Sequence, residues 1–179
     1  MPQVVVLVLA ACGTALATGL GAIPVFLLGR RAAALTPLVF LVLFVHSLPE
    51  GFAIGTAFAS DRAGLSLFVI LAIAIQNIPE GTSVAIPMEE AGFSRTRQFW
   101  TAVGTSAPQP VGALIAFVAV EQINSLLPLS FAFAAGAMLA LIAVQMLPQA
   151  FSGEDRRAPS VGVACGGALM LSLSVLLGV

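Results

Sequence analysis

Six apolar runs follow one another along the chain, at about residues 4–28, 35–59, 65–87, 98–120, 128–151 and 161–178. Each is near the length of about 20 residues that a helix rising 1.5 Å per residue needs to cross about 30 Å of hydrocarbon. The runs are too long for barrel strands and lack their strict alternation. The pattern predicts an all-α fold, a polytopic transmembrane helical bundle of six spanning helices forming one transmembrane domain over residues 1–179. Short connectors at 29–34, 60–64, 88–97, 121–127 and 152–160 make successive helices antiparallel.

Polar residues interrupt these runs in a pattern. The hexapeptide His46-Ser47-Leu48-Pro49-Glu50-Gly51 in the second run is followed thirty residues later by Gln76-Asn77-Ile78-Pro79-Glu80-Gly81 in the third. In each copy a nitrogen- or oxygen-bearing side chain stands four residues before a carboxylate, so on a helix the two share a face one turn apart. Proline between them lacks the N–H that would cap the carbonyl four residues back, which predicts kinks at Pro49 and Pro79 and freed carbonyls at Val45 and Ile75. The fourth run adds Thr105, Ser106 and Pro108-Gln109-Pro110, and the fifth adds Gln145 and Gln149 around Pro148. Gly13, Ala17 and Gly21 in the first run and Gly162, Gly166 and Gly167 in the last suit close helix packing.

Composition agrees with a membrane protein: 59% of the residues are hydrophobic, 8% are charged, and the mean hydropathy is +1.08. All seven basic residues are arginines, and no basic patch exists for nucleic acid. Arg30, Arg31, Arg95, Arg97, Arg156 and Arg157 fall in the first, third and fifth connectors, with Arg62 alone in the second. The positive-inside rule then sets both chain termini outside the cytoplasm. Cys12 and Cys165 lie in apolar stretches far apart and read as small packing residues. The stretch ending at Cys12 resembles a lipoprotein cleavage site, but no basic residue precedes Arg30, so the first run is expected to remain a spanning helix.

Two carboxylates in hydrocarbon cost about 2.5–3.5 kcal/mol each on the insertion scale. No basic side chain inside a run offsets that cost, which leaves a bound cation, a proton or water in a cavity. His46, Glu50, Gln76 and Glu80 together offer a mixed nitrogen and oxygen site for a borderline divalent cation such as Zn²⁺, Fe²⁺ or Mn²⁺. A single copy of the motif reads equally well as a helix kink with a packing glycine. Two copies in the same spacing on adjacent antiparallel helices favour a metal or proton pathway at the bilayer midplane.

At these residues the sequence resembles the ZIP (Zrt/Irt-like) divalent metal transporters, most closely the bacterial GufA-like branch. HSLPEG and QNIPEG are similar to the family's paired motifs, and LATGLGAIPVF, SAPQPVGALIAF and FAFAAGAMLALIAVQMLPQAF to its first, sixth and seventh helices. The resemblance implies a transporter and not an enzyme, moving Zn²⁺, or alternatively Fe²⁺, Mn²⁺ or Cd²⁺, toward the cytoplasm. It places the metal on His46, Glu50, Gln76 and Glu80, in the inner membrane of a bacterium or archaeon. It also implies that the family's second and third helices, and a His-rich cytoplasmic loop with them, have no counterpart here. The helices that look like the family's mobile unit are kept with half of its static frame, so a homo-oligomer or a partner subunit is expected to complete the frame.

Family members with a binuclear centre resemble a pair of overlapping sites, and the positions of the second site read Ser47, Asn77 and Gln109 in this chain, all neutral. One ion is therefore expected, with these three as weaker ligands reached by water. The rival readings are a metal-binding regulatory or partner subunit without transport of its own, an intramembrane hydrolase, and a proton or water pathway. The hydrolase lacks an HExxH spacing.

Overall fold

A computed structural model describes residues 2–23, 37–60, 62–153 and 156–179. The end of the first predicted span, Arg30, Arg31 and Asp61 lie outside the described residues. Helix α1 covers Pro2–Leu20, α2 Pro37–Ala59, α3 Ala63–Glu90, α4 Arg95–Thr105, α5 Pro108–Gln122, α6 Leu127–Leu141, α7 Leu147–Ala150 and α8 Arg157–Leu177. Among the described residues, six stretches are helical, long and apolar enough to cross a membrane.

Two of the predicted spans differ from the hydropathy pattern for local reasons, and two do not. Helices α2 and α3 run unbroken through Pro49, and through Pro79 and Pro87. The fourth predicted span is instead two helices, parted by a turn at Ser106 and Ala107. Pro108 opens α5 at its first position, where no intrahelical N–H is needed. The fifth passes from α6 through a π turn at Ile142–Met146 into α7. Pro148 leaves the carbonyl of Val144 without its usual donor, and a widened turn is a common answer.

The third connector is closed by Gln98, which is fully buried and donates from Nε2 to a Glu89 carboxylate oxygen and to the Phe93 carbonyl at 2.8 Å. Gly92 supplies the left-handed backbone, φ 76°, that this reversal requires.

Two helix pairs form the centre, α1 on α3 and α2 on α5. Their contacts correspond residue for residue. A methyl group on Gly21 would come within 1.9 Å of the Ile78 carbonyl oxygen, and one on Gly112 within 2.5 Å of that of Leu48. Leu48 and Ile78 occupy the same place in the two hexapeptides. Gly21 and Gly112 belong to a second repeat, Ala11-Cys12-Gly13-Thr14 with Gly21-Ala22 and Ala102-Val103-Gly104-Thr105 with Gly112-Ala113, each pair 91 residues apart. Even the hydroxyls agree: Thr14 Oγ1 donates to the Ala11 carbonyl at 2.8 Å and Thr105 Oγ1 to that of Ala102 at 2.6 Å. The centre is thus two similar halves, each a hexapeptide helix clasped by a glycine-bearing partner.

Helix α6 flanks α2 through an edge-on Phe52–Phe133 pair and a hydrogen bond between the Thr56 and Ser130 hydroxyls, and α8 flanks α3. No described residue of α8 is buried, and Gly162, Gly166 and Gly167 have open space at the Cα, as does Gly13. The expectation of close packing therefore holds for Gly21 and not for these four. Cys12 and Cys165 are exposed, contrary to the reading as packing residues. Hydrocarbon chains solvate apolar side chains as well as protein does, so an outer helix face in a membrane need not be covered.

Candidate metal centre

Glu50 is fully buried between α2, α3 and α5. The helical spacing brings His46 one turn before it, with Nε2 3.4 Å from Glu50 Oε1. Glu80 arrives from the second hexapeptide. One ligand atom from each of His46, Glu50 and Glu80 lies within 4.8 Å of the others. Gln76 completes the group by donating from Nε2 to Glu50 Oε1. All four residues predicted for the primary site therefore converge at one place, from mid-helix positions on α2 and α3.

The glycine that ends each hexapeptide makes this convergence possible. A methyl group on Gly51 would sit 2.2 Å from the Gln109 carbonyl oxygen, and one on Gly81 1.6 Å from that of Thr18. With only hydrogen at those positions, α5 comes close enough for Gln109 to reach Glu50, and α1 close enough for Thr14 to reach Gln109.

The three weaker candidates behave differently from one another. Gln109 is fully buried and donates directly from Nε2 to Glu50 Oε2, so it reaches the site through that carboxylate. Asn77 donates from Nδ2 to the Thr14 carbonyl at 2.8 Å and faces Gln109 Oε1 at 3.4 Å. Ser47 is turned to its own helix, its hydroxyl donating to the Leu43 carbonyl at 3.1 Å. That bond takes the single hydroxyl proton and follows the usual habit of a helical serine.

Thr14 and Thr18 on α1 were not anticipated as part of the polar centre, which also takes in Ser106 between α4 and α5. Thr14 Oγ1 lies 3.0 Å from Gln109 Oε1, and the Thr18 and Ser106 hydroxyls pair at 2.6 Å. The repeat of Ala-x-Gly-Thr and Gly-Ala between α1 and the fourth span was the signal that could have found them.

Glu80 Oε1 and Asn77 Oδ1 are buried with no hydrogen-bond partner among the described residues. Buried carboxylate oxygens are costly to leave bare, and a cation beside Glu80 would relieve that cost. An imidazole, two carboxylates and an amide carbonyl suit a borderline divalent ion. A cavity of about 430 Å³ between α2 and α6 reaches His46, lined also by Leu41, Val42, Val45, Pro49, Ala137 and Leu141.

Residues 28–174 match the family described as ZIP Zinc transporter. The chain is 40% identical over 141 residues to the zinc transporter GufA of Myxococcus xanthus, a match covering 79% of this chain and 56% of that protein. It is 34% identical over 141 residues to the zinc transporter ZIPB of Bordetella bronchiseptica, covering 79% and 46%. Against the human zinc transporter ZIP11 it is 32% identical over 147 residues, covering 79% and 43%. The chain thus spans about half the length of these relatives. With most of its length matched and six helices able to span a membrane, this integral membrane protein belongs to the ZIP zinc transporter family, a family of transporters and not of enzymes.

Proposed function

We propose that the chain binds one Zn²⁺ as cargo at His46, Glu50, Gln76 and Glu80 and carries it across the membrane toward the cytoplasm. The observation that carries this reading is the meeting of an imidazole and two carboxylates within 4.8 Å inside a helical bundle of the ZIP family. The relatives named above are described as zinc transporters, which supports zinc over Fe²⁺, Mn²⁺ or Cd²⁺. The cavity at His46 lies between the first half of α2 and the second half of α6. In the sequence α2 follows the connector of Arg30 and Arg31, and α6 leads through the π turn and α7 to that of Arg156 and Arg157, which supports a release route on the cytoplasmic side, with both termini outside.

The flank of α3 favours a partner for this function. Ile75, Gln76, Ile78 and Pro79 are exposed at the level of the site, so a polar metal-site residue borders the surrounding hydrocarbon. A second copy or a partner subunit covering this flank would keep the ion from lipid, and a metal-binding subunit within a larger transporter is the alternative reading.

Liposomes containing the purified protein and an internal zinc-sensitive dye test the proposal. Saturable Zn²⁺ entry, lost in Glu50→Ala, is expected. Zinc binding without entry would leave the partner-subunit reading, and no binding at all would overturn both.

A further inference from the structure

Two amides donate to Glu50, and they are anchored differently. Gln76 is exposed, and its hydrogen bond to Oε1 is its one side-chain bond among the described residues, so that amide can turn its carbonyl toward an ion. Gln109 is fully buried and is gripped at both ends.

The orientation of the Gln109 amide follows from a chain of donors and acceptors. The carbonyl of Thr14 can only accept, so Asn77 must present Nδ2 to it, as it does at 2.8 Å. That same Nδ2 faces Gln109 at 3.4 Å, so the Gln109 atom there must be the carbonyl oxygen. Its NH₂ group is then left for Oε2 of Glu50. A reversed amide would set NH₂ against NH₂ and a carbonyl against a carboxylate. The Thr14 hydroxyl does not decide the matter. Its single proton is shared between the Ala11 carbonyl and Gln109 Oε1, and it could as well accept from a reversed amide.

The other half of the bundle lacks this device. The residue on α1 that corresponds to Gln109 is Thr18, whose hydroxyl is engaged with Ser106, and Glu80 Oε1 has no hydrogen-bond partner among the described residues. Resting on the reading of Glu50 as a metal ligand, we propose that Gln109 is a positioning residue, oriented by Asn77. It holds Oε2 of Glu50 so that the carboxylate meets the ion through Oε1 alone. Oε1 is the oxygen that faces His46, 3.4 Å away. With Glu50 limited to one oxygen, His46, Glu50, Gln76 and one oxygen of Glu80 offer four donors, the coordination number zinc favours.

Purified full-length protein loaded with Co²⁺ tests this, because four-coordinate Co²⁺ absorbs visible light far more strongly than five- or six-coordinate Co²⁺. Gln109→Met keeps the side-chain length and removes the donor. It is expected to lower the Co²⁺ absorption as the freed Oε2 joins the ion, and to weaken Zn²⁺ binding about 10- to 100-fold, as loss of an outer partner commonly does. Thr105→Val, which removes another buried hydroxyl from the same bundle, should leave the spectrum as it is. A Gln109→Met protein with the original spectrum and affinity overturns the proposal. If that variant does not fold, Asn77→Ser removes the orienting amide without adding bulk, and an unchanged spectrum there is equally decisive. Zn²⁺ binding unchanged in Glu50→Ala would instead overturn the metal-site reading itself.

Discussion

Gly81 lies so close to Thr18 that a methyl group on it would come within 1.6 Å of the Thr18 backbone oxygen, and Gly51 stands in the same relation to Gln109, at 2.2 Å. Gly81→Ala and Gly51→Ala must therefore push two helices apart, at a cost of about 1–3 kcal/mol or more, and should weaken zinc binding as well. Gly166→Ala, where the space is open, should change stability by no more than about 0.5 kcal/mol. Thermal unfolding in detergent, followed with and without zinc, compares the three. Equal tolerance at all three positions would contradict the close approach.

Alanine substitutions should separate the two classes of site residue. Glu50→Ala and Glu80→Ala remove anionic ligands and are expected to abolish zinc binding measured by equilibrium dialysis. Ser47→Ala is expected to keep it nearly intact, because the hydroxyl is already bonded to the Leu43 carbonyl. Loss of binding in Ser47→Ala would move that hydroxyl into the metal's own shell.

Zinc affinity should fall as pH is lowered. The metal binds neutral imidazole and ionised carboxylates, so each ligand protonated in the empty protein must release its proton when zinc binds. Acid favours the protonated, metal-free form, and affinity drops by up to about tenfold per pH unit for each proton displaced. Calorimetry in buffers of different ionisation enthalpy counts these protons. An affinity flat between about pH 5 and 8 would argue against His46 and the two glutamates as direct ligands.

Arginine placement gives a topology that can be read by labelling. After Cys12 and Cys165 are replaced by alanine, a cysteine at Arg62 should react with an impermeant thiol reagent in intact cells, and one at Arg95 should not. The reverse pattern would invert the bundle and the direction of transport with it.

By itself the sequence determined that the chain carries six apolar helices long enough to cross a membrane, because hydrocarbon demands about 20 apolar residues per crossing wherever the helices end up. It also determined which residues meet at the metal centre. A four-residue spacing fixes His46 beside Glu50 on one helix face, and the same spacing in the second hexapeptide marks Glu80 as the carboxylate that meets them. Helix breaks at Ser106 and Ala107 and the π turn at Ile142–Met146 escaped the hydropathy pattern, which measures apolarity and not backbone geometry. Tertiary structure alone decided how tightly the helices approach. Gly21, Gly81 and Gly166 are equivalent as letters, and only the backbone opposite each one distinguishes a clasp from open space. It alone decided, too, that Gln109 touches Glu50 directly while Ser47 turns away, since a polar side chain on a buried helix takes whichever partner its neighbour's register brings within reach.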